Sequence, residues 1–177
     1  MPGADARRLF FALWPEPDVS DRLAAAARAA QVRCGGRLMR RETVHLTLVF
    51  VGDVAEPAVE ILRRAASKVH AARFCLNLDR LGCWRHNGIV WAGCAASPPL
   101  VELAARLAGN LSGSGLPLAQ REFAPHLTLL RNARCAALPA LAAIDWPVTE
   151  FVLVESRRSA AGAAYDVIGR WPLKLRP

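Results

Sequence analysis

The stretch ETVHLTLVFVG (42–52) decides how this chain folds, and its HLTL core returns in REFAPHLTLLRNAR (121–134). In both copies polar and apolar residues alternate with a period of two, the period of a β-strand. On a pleated strand His45 and Thr47 share one face, while Val44, Leu46, Leu48 and Phe50 share the other. His126 and Thr128 are divided from Leu127 and Leu129 in the same way. Each copy therefore sets an imidazole and a hydroxyl roughly 7 Å apart on one face. Burying such groups unpartnered costs a few kcal/mol each, so they hydrogen-bond internally or line a wet cleft. A single His-x-Thr in a strand is most often a satisfied interior pair. Two copies, using two of only four histidines, point to two similar lobes whose strands meet at one groove.

Working outward, RLFFALW (8–14) is a compact apolar run closed by PEP (15–17) and predicts a buried strand. Ala- and Leu-rich sequence predicts a helix over 18–32, broken at CGGR (34–37). A second helix is expected over 56–71, with Val59, Leu62, Ala66 and Val69 at helical spacing. FCLNLDRLGCW (74–84) and IVWAGCA (89–95) predict a hairpin about the turn RHNG (85–88). A third helix is expected over 99–113, ending at SGSG (112–115), followed by a strand over 122–130. ALPALAAI (137–144) reads as a short helix. TEFVLVES (149–156) and AAYDVIGRWPL (163–173) read as a closing hairpin. Helices mixed with hairpins predict an α+β fold with mostly antiparallel sheets. A length of 177 residues suits one domain, 1–177, or two small lobes sharing a core.

The formal net charge is +8, and nearly all the positive charge is arginine, with Lys at 68 and 174 alone. This fits an anionic partner such as RNA or a phosphorylated small molecule. It fits equally a scatter of arginines over a solvated surface. The Arg pairs at 7–8, 40–41, 63–64 and 157–158 form no long basic run, which predicts a basic cleft rather than a basic arm. The five cysteines, at 34, 75, 83, 94 and 135, include no C-x-x-C, and no secretory signal is evident. Reduced thiols and a cytoplasmic location are therefore expected. No stretch approaches the roughly 18 apolar residues of a membrane span.

Two imidazoles and two hydroxyls facing one another suit in-line displacement at phosphorus. One His takes a proton from the nucleophile and the other gives one to the leaving oxygen, while the hydroxyls donate to the phosphoryl oxygens. Imidazole titrates near neutral pH, so one ring can be neutral while the other is charged. The two motifs are chemically alike, and their residues alone leave acid and base unassigned. A zinc site is the competing chemistry, but it normally needs a third protein ligand. Glu42 falls on the face opposite His45, and Glu122 lies four residues from His126. No metal and no cofactor are expected.

The paired H-x-T-x motifs resemble those of the two-histidine (2H) phosphoesterases. The rest of the chain is similar to their bacterial branch, the RNA 2′,3′-cyclic phosphodiesterases, also known as LigT-like 2′-5′ RNA ligases. The likeness runs through RLFFALWP (8–15), ETVHLTLVFVGDV (42–54), LDRLGCWRHNGIVWAG (78–93), FAPHLTLLR (123–131) and FVLVES (151–156). It implies a bilobal fold with two mostly antiparallel sheets about a pseudo-twofold, a central cleft, and helices on the outer faces. It implies hydrolysis of RNA 2′,3′-cyclic phosphate ends to 2′-phosphomonoesters. The alternative is 2′-5′ ligation, or cleavage of 2′-5′ linkages or other cyclic nucleotides, at the same site. His45 would be the proton donor, His126 the proton acceptor, and Thr47 and Thr128 the phosphate-binding hydroxyls. The implied partners are RNA ends or nucleoside 2′,3′-cyclic phosphates, with no membrane and a monomeric enzyme. The chain departs from the family pattern at Val49, where a Lys is frequent, and at Leu130, where a small residue is. Strict alternation puts both on the histidine face. It puts Arg131, a candidate substrate contact, on the opposite face unless a bulge intervenes. Phe10, Phe11, Trp84 and Trp91 are candidate base-stacking aromatics, each also suited to core packing. His86 falls in an expected exposed turn, and His70 at an expected helix end.

Overall fold

The computed structural model describes residues 6–95, 97–116, 118, 122–159 and 162–175. The strands are β1 (Arg7–Leu13), β2 (Arg37–Leu38), β3 (Leu46–Val54), β4 (Phe74–Leu78), β5 (Arg80–Trp84), β6 (Ile89–Gly93), β7 (Leu127–Arg131), β8 (Ile144–Val148), β9 (Glu150–Ser159) and β10 (Gly162–Pro172). The helices are α1 (Pro17–Cys34), α2 (Glu56–Ser67) and α3 (Pro98–Ser112). The fold is α+β, as the mixture of periods predicts.

Each helix starts with proline in its first turn, where the missing N–H costs nothing and the fixed φ is already helical. Helix α1 stops at Gly35, whose φ of 60° suits glycine and whose N–H reaches the Gln31 carbonyl at 2.8 Å. The buried stripes Leu23, Ala27 and Ala30 of α1, Val59, Leu62 and Ala66 of α2, and Leu100, Leu103 and Leu107 of α3 join one core cluster with the sheet. Each buried leucine there contributes about 1.5–3 kcal/mol.

The main sheet runs β10-β9-β1-β3-β7-β6-β5, with β2 added on β7. Its two halves are the lobes. They touch through a single register pair, Leu46 opposite Leu127, so β3 and β7 splay apart beyond their first residues. That splay opens the cleft.

A smaller sheet pairs β4 with β8, and two sequence expectations change there. The run 74–84 is divided at Asp79: its first half joins β8 and its second half forms the hairpin with β6. The short helix expected at 137–144 is absent. Residues 135–143 are irregular and Ile144 opens β8. Their Ala and Leu content reads as helical, but Pro139 removes a helix donor. In β8, Ile144, Trp146 and Val148 are buried in alternation while Pro147 faces out on a two-stranded edge.

Cys34 and Cys135 are bonded as a disulfide, whereas Cys75, Cys83 and Cys94 are free. This corrects the expectation of five reduced thiols. The partners are 101 residues apart and meet because the end of α1 packs behind β7, which no local spacing reveals. No helix among the described residues is long and apolar enough to cross a membrane.

Candidate active site

His45 and His126 each stand one residue before a strand, β3 and β7 respectively. The Leu46–Leu127 pairing is antiparallel, so continuing its register sets His45 across from Thr128 and Thr47 across from His126. Leu46 and Leu127 are buried beneath this pair. The four polar residues line one cavity of about 430 Å³ together with Phe10, Phe50, Arg131 and Tyr165. The alternation reading of the two motifs is therefore sound up to the threonines.

Beyond the threonines it fails in both motifs, for one reason. On β3, Ala12 pairs with Thr47 but Phe11 pairs with Val49, so Leu48 is an extra residue. On β7, Trp91 pairs with Thr128 but Val90 pairs with Leu130, so Leu129 is extra. A β-bulge reverses the facing of everything after it. Val49 consequently pairs with Phe11, and Leu130 is fully buried. Leu130 is thereby removed from the cleft, while Val49 packs partly against the core and also lines a cavity shared with Thr47 and His126. Phe50 and Arg131 take the histidine face instead, each three residues beyond its threonine. Phe50 is 44% exposed. It also borders a second cavity of about 820 Å³, which opens from Thr47 and His126 toward α3.

The two imidazoles are tethered alike. The Nδ1–H of His45 donates to the Thr43 carbonyl at 2.8 Å, and that of His126 to the Ala124 carbonyl at 2.7 Å, in the tautomer that satisfies each carbonyl. Nε2 is then left on each ring for chemistry. Aromatic rings hold both in place. Trp14 stacks on His45 at 5.0 Å and 8°, Phe10 lies at 4.8 Å, and Tyr165 presents its edge at 5.2 Å. Trp84 packs edge-on against His126 at 4.6 Å. Trp91 lies flat across Gly82 and Gly93, where any Cβ would collide with its ring.

Charge in the cleft is one-sided. Arg8 and Arg131 line it with the histidines, and Arg8 is held by Asp53 at 3.0 Å. The His45 pKa is pushed down to about 4. The main cause is burial among the rings; positive charge on His126 and Arg131 adds to it, and the Thr43 carbonyl opposes it. Among the described residues no three His, Cys, Asp or Glu side chains are grouped to hold a metal ion.

Of the four aromatics flagged in the sequence, Phe11 is wholly buried in the core and Phe10 is 4% exposed. Trp84 and Trp91 form the shelf beside His126. Phe50, Trp14 and Tyr165 were missed. A bulge hides Phe50 from alternation, and tertiary packing alone brings Trp14 and Tyr165 to His45. His86 sits in the exposed 85–88 turn, and His70 follows α2, its carbonyl accepting from Arg106 at 3.2 Å. Neither reaches the cleft.

The family model described as the 2′-5′ RNA ligase superfamily matches residues 15–160. The RNA 2′,3′-cyclic phosphodiesterase of Escherichia coli is 31% identical over 173 residues, covering 96% of this chain and 98% of the relative. That of Thermus thermophilus is 27% identical over 180 residues, covering 94% and 90%. The crystal structure of E. coli LigT complexed with 3′-AMP superimposes with a TM-score of 0.84 at 31% identity, covering 96% of this chain and 99% of that one.

Proposed function

The chain belongs to the 2′-5′ RNA ligase superfamily, and on that premise we propose that it is an RNA 2′,3′-cyclic phosphodiesterase that leaves 2′-phosphomonoester ends. One observation carries this reading above the others. The single register pair between the lobes sets two His–Thr pairs crosswise on one face of one cavity. A cyclic phosphate held between them meets a ring nitrogen on each side and a hydroxyl beside each ring.

In this reading His126 is the base. Its Nε2 takes a proton from water as the water oxygen attacks phosphorus. His45 is the acid. Its Nε2–H protonates the 3′ oxygen as the P–O3′ bond breaks, giving a free 3′-hydroxyl and a 2′-phosphate. Thr47 and Thr128 donate to the non-bridging oxygens, and Arg131 adds positive charge where negative charge builds up. The protein's own burial of the ring holds the His45 pKa low. A phosphate anion against the ring favours its charged form, so substrate binding itself arms the acid. The Nδ1–H tether to Thr43 holds the ring in place for both protonation states. Phe50, exposed at the cleft edge, presents a flat apolar surface on which a base can stack.

We read residues 1–177 as one two-lobed domain acting as a cytoplasmic monomer without a cofactor. Outside the cleft the exposed large apolar residues are spread over the surface, Val32 on α1, Ile61 on α2, Val101 on α3 and Leu175 beyond β10, which supports the monomer. The deciding experiment is hydrolysis of adenosine 2′,3′-cyclic phosphate in excess EDTA, with the product isomer identified by chromatography. Turnover to adenosine 2′-phosphate is expected. Loss of turnover in EDTA, or a 3′-phosphate product, would overturn the reading.

A further inference from the structure

Three segments distant in sequence meet just beyond Arg131, and none of them contains an acidic residue: 31–38, 80–92 and 127–143. Their meeting is tightly built. Arg37 pairs across β2 with Arg131 on β7, which puts both side chains on one face. The Ala133 N–H donates to the Gly88 carbonyl at 2.9 Å, and the Arg134 N–H to the Cys34 carbonyl at 2.8 Å. A Cβ on Gly36 would lie 2.7 Å from the Arg131 carbonyl oxygen, and one on Gly88 3.1 Å from that of Ala133. Both glycines have positive φ, +84° and +66°. The turn of 85–88 and the end of α1 are thus pressed backbone to backbone onto the chain just past β7.

The consequence is electrostatic. Arg37, Arg85, Arg131 and Arg134 are all exposed, and none of them forms an ion pair among the described residues. Many other arginines are matched, Arg7 with Glu56 and Glu155, Arg8 with Asp53, Arg41 with Asp21 and Arg170 with Glu150, while Arg22, Arg28, Arg33, Arg63 and Arg73 share the lack of an ion pair among the described residues but do not meet at this end of the cleft as a group. Unmatched guanidinium groups brought to one end of a cleft, with no carboxylate in the segments that carry them, attract a chain of phosphates.

We propose that Arg37, Arg85 and Arg134 form a track for the backbone of single-stranded RNA, continuing from Arg131 away from the terminal cyclic phosphate. The placement rests on the proposed reading of the cleft, because Arg131 is where the two join. The track makes the enzyme prefer RNA ends to free nucleoside cyclic phosphates. A single strand fits better than a duplex because its terminal nucleotide can enter a cavity of about 430 Å³ while the next phosphates run along the arginines.

The test is the triple variant R37A/R85A/R134A, assayed on adenosine 2′,3′-cyclic phosphate and on a single-stranded RNA of about 12 nucleotides ending in a 2′,3′-cyclic phosphate. On the RNA, kcat/KM should fall about tenfold or more, and the slope of its logarithm against log salt should flatten by about 2 for three lost phosphate contacts. On the nucleoside substrate kcat/KM should fall less than about twofold, because none of the three residues borders the histidines. Equal losses on both substrates, or no loss on either, would overturn the track. Binding of a 3′-hydroxyl RNA of the same length, measured by fluorescence anisotropy, reads the track without turnover. RNA binding that the triple variant loses, by a wild-type protein that hydrolyses nothing, would keep the track and sink the hydrolase reading. Duplex RNA bound as tightly as the single strand would overturn the assignment to single strands.

Discussion

His45 and His126 carry the same tether, Nδ1–H to the carbonyl two residues back, yet they sit in different surroundings. His45 is ringed by Phe10, Trp14 and Tyr165, and His126 meets Trp84. Replacing either by Ala should lower kcat by about 10²–10⁴-fold with the fold intact, as removal of a general acid or base does. A variant that loses less than tenfold would remove that ring from the acid–base pair. The cause of the His45 shift gives a second prediction. Burial and neighbouring positive charge disfavour its proton, so in the free protein its ring protons should titrate by NMR near pH 4, below an ordinary histidine. A bound phosphate anion favours the proton, so the same titration with adenosine 2′-phosphate present should move upward. In kinetics the limb that reports loss of the His45 proton should therefore lie at higher pH in kcat than in kcat/KM. Phe50 belongs to this scale too. Phe50→Ala should weaken turnover about tenfold, the worth of one base–aromatic stack of about 1–3 kcal/mol, whereas Phe50→Trp should retain most of it.

Among the elements, the two bulges are what turn H-x-T into a longer motif. Without an extra residue at Leu48, Phe50 would stay on the core face. Without one at Leu129, Arg131 would face away from the histidines. Alternation located His45, Thr47, His126 and Thr128 from sequence. It could not locate Phe50 and Arg131, because a bulge is set by pairing with a neighbouring strand and not by the residues of the strand itself. The same holds for β4 and β5, one apolar run divided between two sheets. The hairpin β5–β6 yields its own test. A Cβ at Gly82 would lie 2.0 Å from the Trp91 ring, so Gly82→Ala must push Trp91 off the strand. A loss of about 1–3 kcal/mol is expected from such overpacking. Denaturant unfolding would measure it, and an unchanged midpoint would show that the ring moves aside freely. Because Trp91 pairs with Thr128 and packs on Trp84, activity should fall beyond what the stability loss accounts for.

Across the whole molecule, two half-sheets share one core and touch along their inner edges at a single residue pair. The fold class, the three helices and both strand motifs were legible in sequence because hydrophobic periodicity is local. Long-range closure was not. Cys34 and Cys135 show this at a distance of 101 residues. Purified protein denatured without reductant should titrate three thiols, Cys75, Cys83 and Cys94, and reductant should raise the count to the five in the chain. Five without reductant would show the bond unmade. The arginine track is likewise invisible in sequence, where Arg37, Arg85 and Arg134 are scattered members of a basic composition. The sequence by itself determined that two strands each carry an imidazole and a hydroxyl on one face, since side-chain direction in a strand is fixed by a period of two. The tertiary structure alone decided that these faces meet crosswise, that Phe50 and Arg131 join them, and that unmatched arginines continue from the cleft. Each of those depends on which strand lies beside which, and that is settled by the burial of a shared core rather than by any local run of residues.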